Sequence, residues 1–281
     1  MSTSNYVTCQ LRGLLANQMF CISTMFAYAW DHGLVPVLRS NQTSRNKDSG
    51  RKSLLTRFTN IKFNDNVVFD PTVTYNEPRN STYSPIPYKP GDNVLIKGFR
   101  QSEKYFKKYR PQILDMFRLS DEKITYLKDK YGDVLTDSVS VHVRTGADRP
   151  ETYAKAYYEL YKHDSDSYYG NALNMTLEHD PEIKNVLVFS DNIKWCKENL
   201  TELLSRLNVV YVEGEDDYID IVLMSMCTHN IIANSTFSWW SAWLNENPNK
   251  YIVAPLKWHG ENPTNRGWKD IDLIPETWHR I

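Results

Sequence analysis

Residues 186–212, VLVFSDNIKWCKENLTELLSRLNVVYV, contain the pattern that decides the fold. The apolar run at 186–189 predicts a buried strand, residues 192–207 predict a helix, and residues 209–212 predict a second strand. A helix that joins two short apolar strands is typical of a βαβ unit, whose strands run parallel. The stretch therefore predicts an α/β protein with helices packed on a parallel sheet.

The same alternation extends on both sides of this stretch. The flanking predicted strands are residues 139–143, 231–233 and 251–253, and the predicted helices are residues 168–177, 217–229 and one that begins near residue 238. Repeated βα units of this kind predict a doubly wound parallel sheet, in which ligands bind at the carboxyl ends of the strands. The polar residues that follow each strand are therefore the candidates for a site.

The first half of the chain begins with another predicted βαβ unit. Its strands are expected at residues 6–11 and 34–38, and its helix at 17–31, with Met19, Ile22, Phe26 and Ala29 on one buried face. Residues 71–92 hold five prolines, which predicts an extended connection without regular structure. A strand at 94–96 and helices at 102–117 and 120–131 follow. We expect two domains, residues 1–135 and residues 136–281.

Composition narrows the class of protein. The 281 residues carry 33 Lys+Arg against 34 Asp+Glu, so the basic excess of a nucleic-acid-binding protein is absent. No apolar run reaches the roughly 18 residues that cross a bilayer, and residues 1–5 lack a secretory pattern. The 4 cysteines have no CxxC spacing that would indicate a zinc site or a disulfide scaffold. We expect a soluble, cytoplasmic protein with no transmembrane segment; peripheral membrane association and oligomeric state stay open.

Arg144 follows the strand at 139–143 and precedes Gly146, which places a guanidinium at a strand end. A guanidinium in this position can form paired hydrogen bonds with phosphate oxygens. His142 alternates along the strand, so it is expected on the same face as Arg144. The alternative is an interdomain salt bridge beside a buried histidine.

Two further strand ends carry residues that could bind a ligand. Asp191 and Asn192 follow the strand at 186–189, where a carboxylate can accept hydrogen bonds from a ribose or a base. Four polar or aromatic residues follow the strand at 231–233 and open a helix whose amides suit a diphosphate: Asn234, Ser235, Thr236 and Phe237. Both segments equally fit plain helix N-capping.

The acidic run at residues 213–217 could bind a metal ion. Its position just before a helix favours capping of the positive helix end, so no metal site is predicted. The GxGxxG and P-loop patterns are absent from the sequence, which argues against an ordinary dehydrogenase or a kinase.

Four segments resemble the α-1,2-fucosyltransferase family, a GDP-fucose-dependent group of glycosyltransferases. They are LRGLLANQMF at 11–20, QSEKYF at 101–106, VFSDN at 188–192 with Trp195-Cys196, and HNIIANSTFSWW at 229–240. They occur in family order from about residue 7 to the C-terminus, and the last is the longest and most specific.

The resemblance implies a GT-B architecture, with two facing Rossmann-like domains that each contain a parallel sheet. It implies inverting transfer of L-fucose from GDP-fucose to a glycan hydroxyl, with an α-1,2 linkage, no cofactor and no required metal. The C-terminal domain would hold the GDP-sugar and the N-terminal domain most of the acceptor. A transferase for another GDP-6-deoxyhexose and a non-catalytic nucleotide-sugar-binding protein remain as alternatives.

Aligning this sequence with the family's motifs gives the site residues that the resemblance implies. His142 and Arg144 match the start of the family's His-x-Arg-Arg-x-Asp motif, with Arg144 on the donor diphosphate and with His142 and Asp148 as candidates for the general base. The implied donor-binding residues are Arg144, Asp191, Asn192, Asn234, Ser235, Thr236, Phe237, Asn17 and Gln18.

The sequence departs from the family pattern in two places. Thr145 stands where the second Arg is usual, and Ala147 where the Asp is usual, with Asp148 one position later. Leu14 and Ala16 replace glycines in the opening loop. A missing Arg weakens phosphate stabilisation and a bulkier loop changes acceptor choice, so the acceptor sugar and its linkage stay open.

Overall fold

The alternating apolar runs fold into two parallel β-sheets, one in each of two units. The computed structural model describes residues 5–40, 54–78, 82–146, 168–258 and 270–281. The first unit is Met1–Ser120 with Gly267–Pro275, and the second is Asp121–Arg266 with Glu276–Ile281. Residues 121–135, which the sequence analysis assigned to the first domain, group here with the second unit. Two parallel α/β units confirm the predicted fold class.

The first unit contains a four-stranded sheet in the order β2-β1-β4-β3. The strands are β1 (Tyr6–Cys9), β2 (Val35–Pro36), β3 (Val73–Asn76) and β4 (Val94–Lys97), the helices are α1 (Leu15–His32) and α2 (Arg110–Met116), and 3₁₀ turns lie at Leu54–Arg57, Glu103–Tyr105 and Lys107–Tyr109. Because β1 lies between β2 and β4, the carboxyl ends of β1 and β4 form the topological switch point of this sheet.

The second unit contains a six-stranded sheet in the order β10-β9-β8-β5-β6-β7. The strands are β5 (Ser138–Val143), β6 (Asn185–Ser190), β7 (Asn208–Tyr211), β8 (His229–Ile231), β9 (Ile252–Ala254) and β10 (His279–Arg280). The helices are α3 (Asp121–Leu135), α4 (Tyr168–His179), α5 (Ile193–Asn199), α6 (Thr201–Leu204), α7 (Asp217–Ser225) and α8 (Thr236–Leu244). All six residues of β5 are buried. The chain runs outward from β5 to β7 on one side and from β8 to β10 on the other, so the carboxyl ends of β5 and β8 form the switch point.

Tryptophans anchor α8 in the core of the second unit. Trp239 and Trp240 are completely buried, and their ring centroids lie 5.2 Å apart. Trp278, just before β10, lies 5.5 Å from Trp239. This packing fixes the axis of α8 and hence the position of its N-terminus.

Two predicted helices are broken in the structure. The helix expected at 102–117 is instead two 3₁₀ turns followed by α2, because Pro111 in the first turn of α2 lacks the N–H that an upstream helix would need. The helix expected at 192–207 divides into α5 and α6. Near that break, the Asn199 side chain donates to the Trp195 carbonyl and the Thr201 hydroxyl to the Lys197 carbonyl, so side chains compete with the helical ladder.

Two strands were missed. The prediction that residues 71–92 lack regular structure is wrong at β3, an edge strand whose residues alternate between partial burial and exposure. Strand β10 follows β9, which the sequence had indicated as the last strand; it has only two residues and no apolar run. None of the helices within the described ranges combines the length and the apolar character that a bilayer crossing requires.

Candidate active site

Arg144 and Asp191 join two neighbouring strand ends of the second unit. Nη1 of Arg144, after β5, lies 3.1 Å from Oδ2 of Asp191, after β6. The side chains are only 17% and 10% exposed, so the pair is shielded from most of the solvent. The carboxylate therefore orients the guanidinium while leaving it at the carboxyl edge of the sheet, where ligands bind in such folds.

Thr145, which departs from the family pattern, has a defined role in this arrangement. Its backbone N–H donates to Oδ1 of Asp191 at 2.8 Å, and its hydroxyl donates to the same atom at 3.2 Å. Asp191 thus accepts hydrogen bonds from Thr145 through one oxygen and pairs with Arg144 through the other. The replacement of the usual Arg ties the loop after β5 to the loop after β6.

His142 lies beneath this loop as a buried, neutral link between β5 and α8. Its side chain is 4% exposed, and Nδ1 shares a hydrogen bond of 2.8 Å with Oγ of Ser238. Burial lowers the pKa of His142 to about 3, and the charge of Arg144 acts in the same direction. An imidazole with so low a pKa is a weak base. His142 therefore corresponds to the buried histidine that the sequence analysis gave as the alternative.

Replacing Ser238 with alanine is expected to lower the free energy of unfolding by about 1–2 kcal/mol, because His142 Nδ1 would lose its buried partner. Ser241→Ala is the matched control, since its hydroxyl is also buried but bonds only to the Ser238 carbonyl within α8. Urea unfolding monitored by circular dichroism gives both values. Equal losses in the two variants would contradict a specific role for the His142–Ser238 bond.

The N-terminus of α8 begins directly after β8 and one connecting loop. Ser235 is the N-cap, with Oγ accepting from the Phe237 N–H at 3.3 Å. Asn234 is buried and donates from Nδ2 to the Trp258 carbonyl at 3.1 Å. The Phe237 ring lies 5.4 Å from that of His142. The capping alternative is therefore realised at Ser235, and the positive end of the α8 dipole is fixed at the switch point.

The other candidates have different surroundings. Asn192 caps α5, with Oδ1 accepting from the Trp195 N–H at 3.1 Å. In the first unit, Gln18 is buried and donates to the Gly13 carbonyl at 3.0 Å, while Asn17 Oδ1 accepts from Gln101 Nε2 at 2.9 Å. Ala147 and Asp148 lie outside the described residues.

The acidic run at 213–217 is mainly engaged in contacts with neighbouring side chains. Glu215 accepts from the Lys130 ammonium at 2.6 Å and from the Tyr131 hydroxyl at 3.1 Å, which attaches α3 to this segment. Glu213 pairs with Lys197. In the part of the chain that the structure describes, no three His, Cys, Asp or Glu side chains are grouped as a metal ion requires.

Sequence reasoning missed Asp220, one turn into α7. Its Oδ1 is buried and has no hydrogen-bond partner among the described residues. Burial raises the pKa of Asp220 to about 7, and the charges of Glu215, Asp217 and Asp216 add to the effect. The available signal was a single carboxylate beside the apolar face formed by Ile219, Val222 and Leu223.

Two α/β units that each contain a parallel sheet match the architecture of the GT-B fold. The GDP complex of POFUT1 has a similar fold, with a TM-score of 0.54 at 13% identity, over 89% of this chain and 98% of that one. The chain belongs to glycosyl transferase family 11, whose model matches residues 1–271.

Curated relatives agree with this assignment. An α-1,2-colitosyltransferase of Escherichia coli is 34% identical over 192 residues, which is 67% of this chain and 63% of that protein. The galactoside 2-α-L-fucosyltransferase Sec1 of Mus musculus is 26% identical over 268 residues, 90% of this chain and 68% of that protein. The chain thus matches less than two thirds of the colitosyltransferase's length.

Proposed function

We propose that this protein is an inverting glycosyltransferase that moves L-fucose from GDP-fucose to a glycan hydroxyl and forms an α-1,2 linkage. The observation that carries the proposal is the Arg144–Asp191 pair at the switch point of the second unit, within a chain of glycosyl transferase family 11. Arg144 would bind the donor diphosphate. The fucosyltransferase relative and the GDP bound to POFUT1 support this choice of donor.

The leaving GDP gains negative charge on its β-phosphate as the bond to the sugar breaks. In our proposal, Arg144 and the N-terminal amides of α8 stabilise that charge, because both are fixed before the reaction and need little reorganisation. The Asp191 carboxylate and the Trp-anchored axis of α8 supply this fixation. We propose that the positive charge of these groups makes a metal ion unnecessary for the reaction.

A single displacement at the anomeric carbon inverts its configuration and requires the acceptor hydroxyl to lose a proton late in the reaction. We assign the general base to Asp148 and a positioning role to His142, whose burial and low pKa suit it poorly to accept a proton. Oxocarbenium-like character in the sugar lowers the demand on that base.

A second candidate function changes the donor sugar. The similarity to an α-1,2-colitosyltransferase favours a GDP-linked deoxyhexose other than fucose, and Thr145 replaces a motif residue that neighbours the donor. Competition between GDP-fucose and GDP-colitose for a common acceptor separates the two, because the true donor is consumed first at equal concentrations.

The proposed function is tested by GDP release from GDP-fucose. Purified protein is incubated with and without EDTA, against a panel of galactose-terminated, xylose-containing and rhamnose-containing acceptors. We expect release to rise with one class of acceptor and to survive EDTA. The anomeric configuration of the product, read by NMR, tests inversion and linkage.

Other outcomes of this assay would contradict the proposal. Thermal stabilisation by GDP without release from either GDP-sugar would favour the non-catalytic nucleotide-sugar-binding protein. Release that EDTA abolishes and Mg²⁺ restores would contradict metal independence. Neither release nor stabilisation would overturn the assignment of the donor site.

A further inference from the structure

The first unit has a switch point of its own, at the carboxyl ends of β1 and β4. Two side-chain pairs connect the loop after β4 with the segment after β1, one with its loop and one with the first turn of α1. The Arg12 guanidinium carbon lies 4.9 Å from the Phe99 ring centroid, and Gln101 Nε2 lies 2.9 Å from Asn17 Oδ1. The two loops therefore form one continuous surface at the edge of the sheet where ligands bind in this class of fold.

Glu77, directly after β3, holds the loop that follows β4. Its two carboxylate oxygens accept from consecutive backbone N–H groups, that of Phe99 at 2.7 Å and that of Arg100 at 2.8 Å. Gly98 makes this approach possible: its φ is +118°, and a β-carbon there would lie 2.2 Å from Cβ of Glu77. One carboxylate thus fixes the two peptide groups on either side of the Phe99 α-carbon.

Arg100 shows that this loop is strained. It adopts a φ of 53°, in the left-handed region, and its side chain is only 2% exposed. Its guanidinium donates to the Tyr105 hydroxyl at 3.2 Å and to the Tyr75 carbonyl at 3.4 Å. Strain of this kind persists only where surrounding contacts enforce it, and it clusters at ligand sites.

The exposed groups on this surface have the chemistry of a sugar site. Phe99 is partly exposed and Arg12 is exposed, so both can contact a ligand. An aromatic ring packs against the C–H face of a pyranose, and guanidinium and amide groups hydrogen-bond to its hydroxyls. The aromatic ring and the amides suit a neutral sugar better than a phosphate.

We propose that Arg12 and Phe99 bind the acceptor sugar and that Glu77 is a positioning residue that holds Phe99 in its binding orientation. The inference rests on the proposed function, because a protein that transfers no sugar has no acceptor. It also gives the QSEKYF segment a role, since Gln101 joins the loop after β4 to the first turn of α1 and Tyr105 supports Arg100.

The test separates acceptor binding from donor binding. For Phe99→Ala and Glu77→Gln, the KM for the best acceptor of the panel, the KM for GDP-fucose and the acceptor-free hydrolysis of GDP-fucose are measured. Phe99→Ala is expected to raise the acceptor KM about tenfold, with both donor quantities unchanged within about twofold. Glu77→Gln should raise the acceptor KM less, because its amide keeps one accepting oxygen.

Matched controls are available at residues that make none of the contacts described for this surface. Tyr88→Ala removes another exposed ring of the same unit, stacked on His32 at 4.1 Å, and Glu122→Gln neutralises an exposed carboxylate on α3. Both should leave the acceptor KM unchanged. Should Glu77→Gln fail to fold, as read by circular dichroism, Phe99→Ala and Arg12→Ala carry the test.

Three results would overturn the inference. They are an unchanged acceptor KM in Phe99→Ala, a Glu77→Gln protein that melts earlier but keeps its acceptor KM, and equal changes in acceptor and donor KM. Absence of GDP release from the unaltered protein would instead contradict the proposed function, and this inference with it.

Discussion

Replacing Arg144 with alanine is expected to lower the rate of fucosyl transfer by about two to three orders of magnitude. The guanidinium is held by Asp191 at 3.1 Å in a shielded position. In the proposed reaction its charge would therefore act on the departing diphosphate without first being reoriented. Water that enters in its place would reorganise during the reaction and stabilise the charge less. Steady-state measurement of kcat and of KM for GDP-fucose checks the prediction.

Controls for this prediction must account for the Asp191 carboxylate, which loses its partner in Arg144→Ala. Asp191 would lose its ionic partner while only 10% exposed, which destabilises the fold independently of catalysis. The double variant Arg144→Ala/Asp191→Asn removes that penalty and should remain inactive. Arg144→Lys should retain part of the activity, and Arg206→Ala, at an exposed Arg bonded to Asn174, should retain all of it. Normal transfer by a folded Arg144→Ala protein would refute the phosphate assignment.

Replacing Asp220 with asparagine is expected to stabilise the protein increasingly as the pH rises from 4 to 7. The folded-state pKa of about 7 lies above the ordinary value of 3.8, so the folded protein holds a proton that the unfolded chain has released. Stability of the native protein therefore falls with rising pH across that interval, by about 1.4 kcal/mol per pH unit. Asparagine does not titrate, so the free energy of unfolding of Asp220→Asn should exceed that of the native protein by about 4 kcal/mol near pH 7.

Paired urea unfolding of the native and Asp220→Asn proteins at pH 4, 5.5, 7 and 8 measures this difference, because other titrating groups cancel in the comparison. The gain in the free energy of unfolding of Asp220→Asn should be small at pH 4 and constant above pH 7. Asp133→Asn, at an exposed carboxylate on α3, is the matched control for the loss of one carboxylate. A difference that stays constant with pH would show that Asp220 titrates normally in the folded protein.

The parts of the fold that were predictable are those where one physical signal dominates. An apolar run located β6, whose four central residues are buried, and alternating valines located β5. The strand predicted at 231–233 overlaps β8 only at Ile231, because the first two residues of β8 are polar. The edge strand β3 was not recognised, since only one side of such a strand is covered and prolines flank it. The division of the helix at 192–207 depends on hydrogen bonds of Asn199 and Thr201 that periodicity does not contain.

The residues of the candidate site were predictable, but the contacts between them were not. The position of Arg144 after a strand indicated a ligand-binding edge, yet its pairing with Asp191 depends on the order of strands in the sheet. The sequence indicated only that Thr145 replaces the usual arginine. Its hydrogen bonds to Asp191 were not predicted, because that residue is 46 positions away in the sequence. Glu77 and Asp220 gave weak signals, since their roles follow from burial and contacts instead of from motif spacing.

The path of residues 267–281 ties the two units together through the chain itself. Residues 267–275 belong to the first unit, where Asp272 accepts from the Tyr83 N–H and pairs with Lys104, both at 2.7 Å. The chain then returns to the second unit, where β10 pairs with β9. Because the chain crosses between the units more than once, a single cut cannot separate the two units into independent pieces.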